Sequence, residues 1–314
     1  MTSLVCAAGI DVGRDHLDFA VAPIGVVRRV RNEGRGIVAL IGQLRRDDVV
    51  RVVLEAIGPY AARLVRALTE AGFEVGVVDP RRIRAFRTAE GRRAKTDRLD
   101  AQLIARFALA MPDVVRPVPD ARAQQLRALS ARRRQLVELI AMEKTRLKQA
   151  PDENVAQSHR LLIAGLGAER ARIEVAIATA LREAGATDRL ALLQTAPGVG
   201  PAVAITLLAD LPELGRLDRR AIASLAGLAP HIAQSGLDRG HAAIAGGRPC
   251  VRAALYLAAL SACRLERGYR RDYQAMRQAG KPAKVALIAV ARKLLVALNA
   301  MMRDNTPWAP IHPA

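Results

Sequence analysis

An α/β domain at the N-terminus, a helical coiled-coil arm after it and a mainly α C-terminal domain with a helix-hairpin-helix motif are the architecture this sequence predicts. Three observations carry it. Residues 4–80 alternate short apolar runs with stretches of helical periodicity. Residues 120–149 form one amphipathic run without an internal Gly or Pro. The last third sets apolar helical stretches around a turn of Pro197, Gly198, Val199, Gly200 and Pro201. The boundaries fall near residues 115 and 189, so the expected segments are 1–115, 116–189 and 190–314.

In the first segment, residues 4–23 read as two apolar strands separated by a turn at Gly13, Arg14 and Asp15, and residues 25–30 offer a third strand. A helix over 37–45, a strand over 49–55, a helix over 60–71, a strand over 74–79 and a helix after Pro80 follow. An antiparallel meander succeeded by alternating helix and strand is the order of the ribonuclease H-like fold. That order sets the first and fourth strands side by side, so Asp11 and Glu55 would face one another at the end of the sheet.

In the second segment Leu126, Leu129, Leu136, Ile140 and Leu147 recur at helical spacing, the pattern of a long helix or coiled coil. Pro151 and residues 152–158 interrupt it, and a second helical stretch over 159–184 would return antiparallel to it. In the third segment the glycines at 198 and 200 read as a hairpin whose amides hold a nucleic-acid backbone, or as a plain connector between helices. The Pro-rich tail from Thr306 is expected to fray.

The chain has 314 residues, 51% hydrophobic and 25% charged, with a formal charge of +19. Such a composition supports packed cores and excludes wholesale disorder. A surface this basic calls for a polyanionic partner, and nucleic acid fits better than a membrane, since no apolar run looks long enough to span. No signal-peptide pattern precedes Ala8, which places the protein in the cytoplasm. The three cysteines are widely spaced and the five histidines form no ligand pattern, which disfavours zinc and a disulfide framework.

Against that basic background four acids stand out. Asp11 and Glu55 end apolar runs, and Asp97 and Asp100 lie three apart at the start of a helix, so they share one face. Carboxylates from strand ends and a helix face suit Mg²⁺, a hard cation that takes oxygen ligands and leaves room for phosphate. Each acid alone has a plainer reading as a cap or turn residue. Their convergence in one fold order favours a metal site for phosphodiester chemistry.

Gly9, Ile10, Asp11 and Val12, then Val53, Leu54, Glu55 and Ala56, then the run from Ala94 through Lys95, Asp97, Arg98 and Asp100 to Ala101 resemble the four-carboxylate RuvC-like domain of the IS110 family of transposases. Downstream, the block from Leu225 to Pro230, then Gln234, Ser235 and Gly236, and later Gly280, Lys281, Pro282 and Ala291 to Leu294 resemble that family's C-terminal transposase domain. The resemblance implies a DNA recombinase that uses Mg²⁺ and a serine nucleophile, Ser235 by motif position, through a covalent phosphoserine link. It implies donor and target DNA, a structured guide RNA and a homo-oligomer, dimer or tetramer, as partners.

Lys95 and Arg98 flank the acids, and Gly236, Arg239, Arg248 and Arg252 flank the serine, as candidate nucleic-acid-binding residues with Gly198 and Gly200. His231 and His241 also flank Ser235, but neither spacing nor a partner argues for a base. Where the family commonly has Ala-Thr-Gly after the glutamate, this chain has Ala56, Ile57 and Gly58. Ala245, Gly246 and Gly247 stand where Ser or Lys often appears. These departures touch a hydroxyl contact, not the metal ligands. A hydrolytic RuvC-like junction nuclease and a nonenzymatic nucleic-acid scaffold are the alternatives. A sugar-kinase-like or chaperone-like ATPase is a further one, because residues 9–13 resemble the first phosphate loop of that related fold.

Overall fold

The first strand, β1 (Cys6–Val12), is apolar on both faces because helices cover both sides of its sheet. The structure, a computed structural model, describes residues 6–55, 59–91, 97–111, 116–117, 121–231, 234–235, 238–239 and 243–309, and at residues 59, 97, 98, 116, 117, 231, 234, 235, 238 and 239 it describes the backbone alone. Contacts divide the chain into two units, residues 1–119 and 120–314.

In the first unit β1 is followed by β2 (His16–Ala22), β3 (Val27–Arg31), α1 (Gly34–Arg46) and β4 (Val49–Glu55). Then come α2 (Ala62–Glu70), β5 (Glu74–Val78), α3 (Pro80–Ala89), α4 (Asp97–Ala110) and β6 (Arg116–Pro117). The strands pair in the order β3-β2-β1-β4-β5-β6. β2 runs antiparallel to β1 and β3, whereas β4 runs parallel to both β1 and β5. This is the predicted ribonuclease H-like order, with β1 and β4 adjacent.

The two-residue period of a strand sorts the β1 side chains. Ala8, Ile10 and Val12 join a core with Leu40 and Leu44 of α1 and Leu64 and Leu68 of α2. Ala7, with Val53 and Val78 from β4 and β5, packs under Ile83 of α3 and Leu103, Ile104 and Phe107 of α4. Asp79 caps α3 by accepting from the Arg81 amide at 2.8 Å, with Pro80 in the first turn. α4 approaches β1 most closely at Gly9, where a Cβ would stand 2.5 Å from the Ala101 carbonyl oxygen and nearer still to the Ala105 amide.

The second unit opens with an antiparallel hairpin of α5 (Ala121–Leu147) and α6 (Glu153–Glu183). Asp152, which the sequence reading placed in an interruption, caps α6 by accepting from the Asn154 and Val155 amides at 2.8 and 3.1 Å. The helix therefore begins at Glu153 rather than His159. α7 (Thr187–Gln194), α8 (Pro201–Asp210) and α9 (Arg219–Leu225) follow. Four two-residue strands, β7 (Pro230–His231), β8 (Gln234–Ser235), β9 (Asp238–Arg239) and β10 (Ala243–Ile244), precede α10 (Pro249–Leu265), α11 (Arg267–Gln278) and α12 (Ala283–Asp304).

Leu126 and Leu136 of α5 and Ile173 and Ile177 of α6 share a core with Ala209 of α8, so the root of the hairpin is continuous with the C-terminal helices. The main core of this unit gathers Val251 and Leu255 of α10, Leu207 of α8 and Val290, Leu294 and Leu298 of α12. α12, at 22 residues, is long and apolar enough to cross a membrane, a run the sequence reading passed over. Half of its apolar window is buried inside the unit, as befits a core helix. The tail does not fray at its start. Trp308 lies against the Tyr269 ring at 5.6 Å and its amide donates to the Thr195 hydroxyl at 3.0 Å.

Towards the hairpin's turn, buried Glu143 meets His159 Nδ1 at 2.7 Å and accepts from Arg146 at 2.6 Å. These two partners, His159 first, hold its carboxyl below the ordinary 4.5. Because the folded value is the lower one, this contribution to stability is complete above 4.5 and fades as pH falls through the folded value. Wild type is expected to lose stability relative to Glu143→Gln on acidification below pH 4.5, measured by urea unfolding across pH. A pH-independent difference would remove Glu143 from the acid response. Separately, Gly9→Ala should destabilise the first unit by about 1–3 kcal/mol in urea melts, because a methyl group there must push α4 off the sheet; an unchanged midpoint would contradict the close approach.

Candidate metal centre and serine lobe

β1 and β4 run parallel with Ile10 beside Leu54, so the next residues, Asp11 and Glu55, stand side by side where the paired strands end. Both lie on the α4 face of the sheet, since Ala7 and Val53, an even number of residues back, pack under that helix. Each is half-buried. Asp100 directly precedes Ala101, whose carbonyl oxygen lies against Gly9 two residues before Asp11. The backbone of Asp97 begins α4 one turn earlier. The structure thus brings Asp11, Glu55 and the first turn of α4 to one end of one sheet face.

A further acid belongs to this face. Asp18 of β2 is the register partner of Asp11 and is buried, with Ala20 and Ala22 of the same strand packed on Ala101 and Ala105. Arg29 of β3 grips it through two bonds of 2.9 and 2.7 Å. Sequence reasoning missed it, although one acid inside an apolar strand was the available signal.

Asp100 is also buried, and the Arg87 guanidinium of α3 donates to it. Asp18 and Asp100 therefore carry their own countercharge inside the fold, as a buried carboxylate must. Among the described residues no three His, Cys, Asp or Glu side chains form a metal-binding group. Lys95 and the side chains of Asp97 and Arg98 lie outside them. The acids present offer only oxygen donors, which fits Mg²⁺ and not a softer metal.

In the second unit, the backbone of Ser235 lies in β8, which pairs antiparallel with β9 so that Ser235 faces Asp238 and Gln234 faces Arg239. Outside this pair, β7 and β10 join Pro230 to Ile244 and His231 to Ala243. Gly236 and His241 lie outside the described residues, and Arg239 is described by its backbone alone.

Two of the arginines expected at phosphate turn inward instead. Arg248 donates to both oxygens of Glu213 at 2.6 Å each and to the Asp210 carbonyl at 2.8 Å. Arg252 donates to the carbonyls of Gly246 at 2.8 Å and Gly227 at 3.4 Å. Arg248 spends both terminal nitrogens of its fork on the protein, whereas Arg252 spends one. Gly198, read as a phosphate-approaching glycine, lies instead against α10, where a Cβ would stand 2.7 Å from the Ala262 amide. Gly200 caps α8 in open space.

A ribonuclease H-like sheet with carboxylates at its central strand ends, on a strongly basic chain, is an arrangement that suits phosphodiester chemistry. The family model described as Transposase (DEDD_Tnp_IS110) matches residues 8–153, and the one described as Transposase IS116/IS110/IS902 family matches residues 190–274. The chain belongs to the IS110 family of transposases.

It is 28% identical over 274 residues to the pilin gene-inverting protein of Moraxella bovis, across 83% of this chain and 82% of that protein. It is 34% identical over 125 residues to the insertion element IS110 uncharacterized 43.6 kDa protein of Streptomyces coelicolor, across 39% of this chain and 31% of that one. Among solved structures, T. thermophilus RuvC in complex with a Holliday junction substrate matches at 18% identity and a TM-score of 0.28, across 37% of this chain and 100% of that one. That last likeness is too slight to bear on the fold, which rests on the strand order.

Arg87→Ala leaves the Asp100 carboxylate buried without its cation, and should cost the first unit about 3 kcal/mol in urea unfolding. Adding Asp100→Asn to it should restore part of the loss, whereas strictly additive losses would show that the pair does not interact.

Proposed function

We propose that the chain is a Mg²⁺-dependent DNA transposase in which Asp11, Glu55, Asp97 and Asp100 hold the metal and Ser235 is the nucleophile. The observation that carries the metal half is the adjacency of Asp11 and Glu55 at the ends of paired parallel strands, with the first turn of α4 beside them. The serine half is supported by family membership, and the backbone of Ser235 lies in the short β8–β9 pair.

Bound Mg²⁺ would supply Lewis-acid stabilisation of the charge that develops on the phosphate oxygens. The carboxylates hold the site by offering oxygen ligands at fixed strand and helix positions. Ser235 loses its hydroxyl proton as its Oγ bonds to phosphorus, while the bond to the leaving deoxyribose oxygen breaks and that oxygen takes up a proton. One phosphoester replaces another, so a second DNA hydroxyl can reverse the exchange and rejoin strands without an external energy source.

The charge of +19 supports donor and target DNA and a guide RNA as partners, since each neutralised phosphate releases counterions. A homo-oligomer belongs to the same reading, as the resemblance to the family implies. The same reading places the protein in the cytoplasm, with the DNA.

Ser235→Ala should abolish covalent protein-DNA adducts on denaturing gels while leaving DNA affinity within about twofold. Asp11→Asn should remove Mg²⁺-dependent cleavage. A Ser235→Ala protein that still forms the adduct has another nucleophile, and wild-type cleavage without any adduct points to a metal-activated water.

A further inference from the structure

The chain enters and leaves the serine lobe through a neck that has almost no room. On the entering side Leu228 and Ala229 donate back to the Ala223 carbonyl at 2.8 and 3.2 Å, and Ala226 and Leu228 are buried in the core of the unit. On the leaving side the Arg248 amide donates to the Leu225 carbonyl at 3.0 Å. Between them the backbones of Gly227 and Gly247 touch directly. Both have positive φ, +72° and +64°, and a Cβ on Gly247 would stand 2.8 Å from the Ala226 carbonyl carbon and closer still to the Gly227 backbone. A side chain at either place would separate the two limbs.

Among the described residues, the Arg252 side chain crosses this neck. Arg252, in the first turn of α10, uses a single guanidinium nitrogen to donate to Gly246 on the leaving limb and Gly227 on the entering limb. α10 is itself anchored in the core through Val251 and Leu255, both fully buried. The guanidinium is thus a charged donor, fixed to a rigid helix, that ties together the two carbonyls at the base of the lobe. Among the described residues, the lobe above it is paired through two-residue ladders, β7 with β10 and β8 with β9. Ladders that short do not hold a register unaided.

We infer that Arg252 is a positioning residue, a clasp that closes the neck of residues 228–246 and so fixes where Ser235 stands. The assignment rests on the reading of Ser235 as nucleophile for its catalytic consequence, and on the neck geometry alone for the clasp. It replaces a phosphate-binding role for Arg252. A nucleophile held on a loose lobe reacts slowly even when substrate binds normally, because in-line attack requires its oxygen to be placed within a fraction of an ångström.

Three variants of the full-length protein test this: Arg252→Met, Arg252→Lys and Gly247→Ala. Deuterium exchange of a peptide spanning residues 229–245 should rise at least tenfold in Arg252→Met and Gly247→Ala, while peptides from α12 keep wild-type protection. Single-turnover adduct formation with DNA should slow by about a hundredfold in both, with the Kd for the same DNA within about twofold. Arg252→Lys, which keeps one charged donor on the same helix, should recover part of both losses.

Unchanged exchange in the lobe would overturn the clasp. Faster exchange with a wild-type adduct rate would overturn the positioning role. A Kd weakened as much as the rate would return Arg252 to phosphate binding and overturn the inference. If adducts persist in Ser235→Ala, the nucleophile assignment fails, and the exchange data still decide whether Arg252 closes the neck.

Discussion

The backbone contact between α4 and β1 at Gly9 is the constraint on which the first unit depends. A helix laid that close to a central strand needs a residue without a side chain beneath it, and it fixes the helix both in height and along its axis. Slide α4 by one turn and Asp100 no longer neighbours the strand ends. Tilt it, and Phe107 and Leu103 leave the pocket formed with Ala7, Val53 and Val78. The packing that stabilises this face is therefore the same packing that sets the spacing between helix-borne and strand-borne carboxylates.

Charge is managed differently in the two units. In the first, the fold supplies fixed cations to two buried acids, Arg29 to Asp18 and Arg87 to Asp100, while Asp11 and Glu55 sit half-exposed at the strand ends. In the second, buried Asp210 takes Arg134 at 2.6 Å from α5, and its backbone carbonyl takes Arg248. Arginines that might be counted towards the polyanion-binding surface are committed to internal bonds. Each of these pairs cancels within the formal charge, so the +19 remains as an excess of cations over acids.

Much of the fold was legible because its signals are local. Apolar runs bounded by turn residues mark β1, β2 and β4, and the acids that end β1 and β4 are visible as breaks in those runs. The rest depends on partners distant in sequence. Asp18 looks like a flaw in a strand until β1 and α4 are laid beside it. Asp152 looks like part of a linker until the free amides of α6 are counted. Arg248 and Arg252 look like phosphate ligands because nothing in their neighbourhood announces Glu213, which lies 35 residues away, or the crossing of Gly227 with Gly247. Trp308, in a Pro-rich tail, gains its place only through Tyr269 and Thr195. Apolar α12 reads as a core helix only once the helices around it are known.

The rooting of the α5–α6 hairpin bears on mechanics. Its base shares a core with α8, and Arg134 bolts α5 to the C-terminal end of α8, so packing and an ion pair both hold its foot. At about 1.5 Å per residue, a helix of 27 residues reaches about 40 Å, the rise of about twelve base pairs of duplex. Whatever seizes the far end of such an arm applies leverage to the body that carries Ser235.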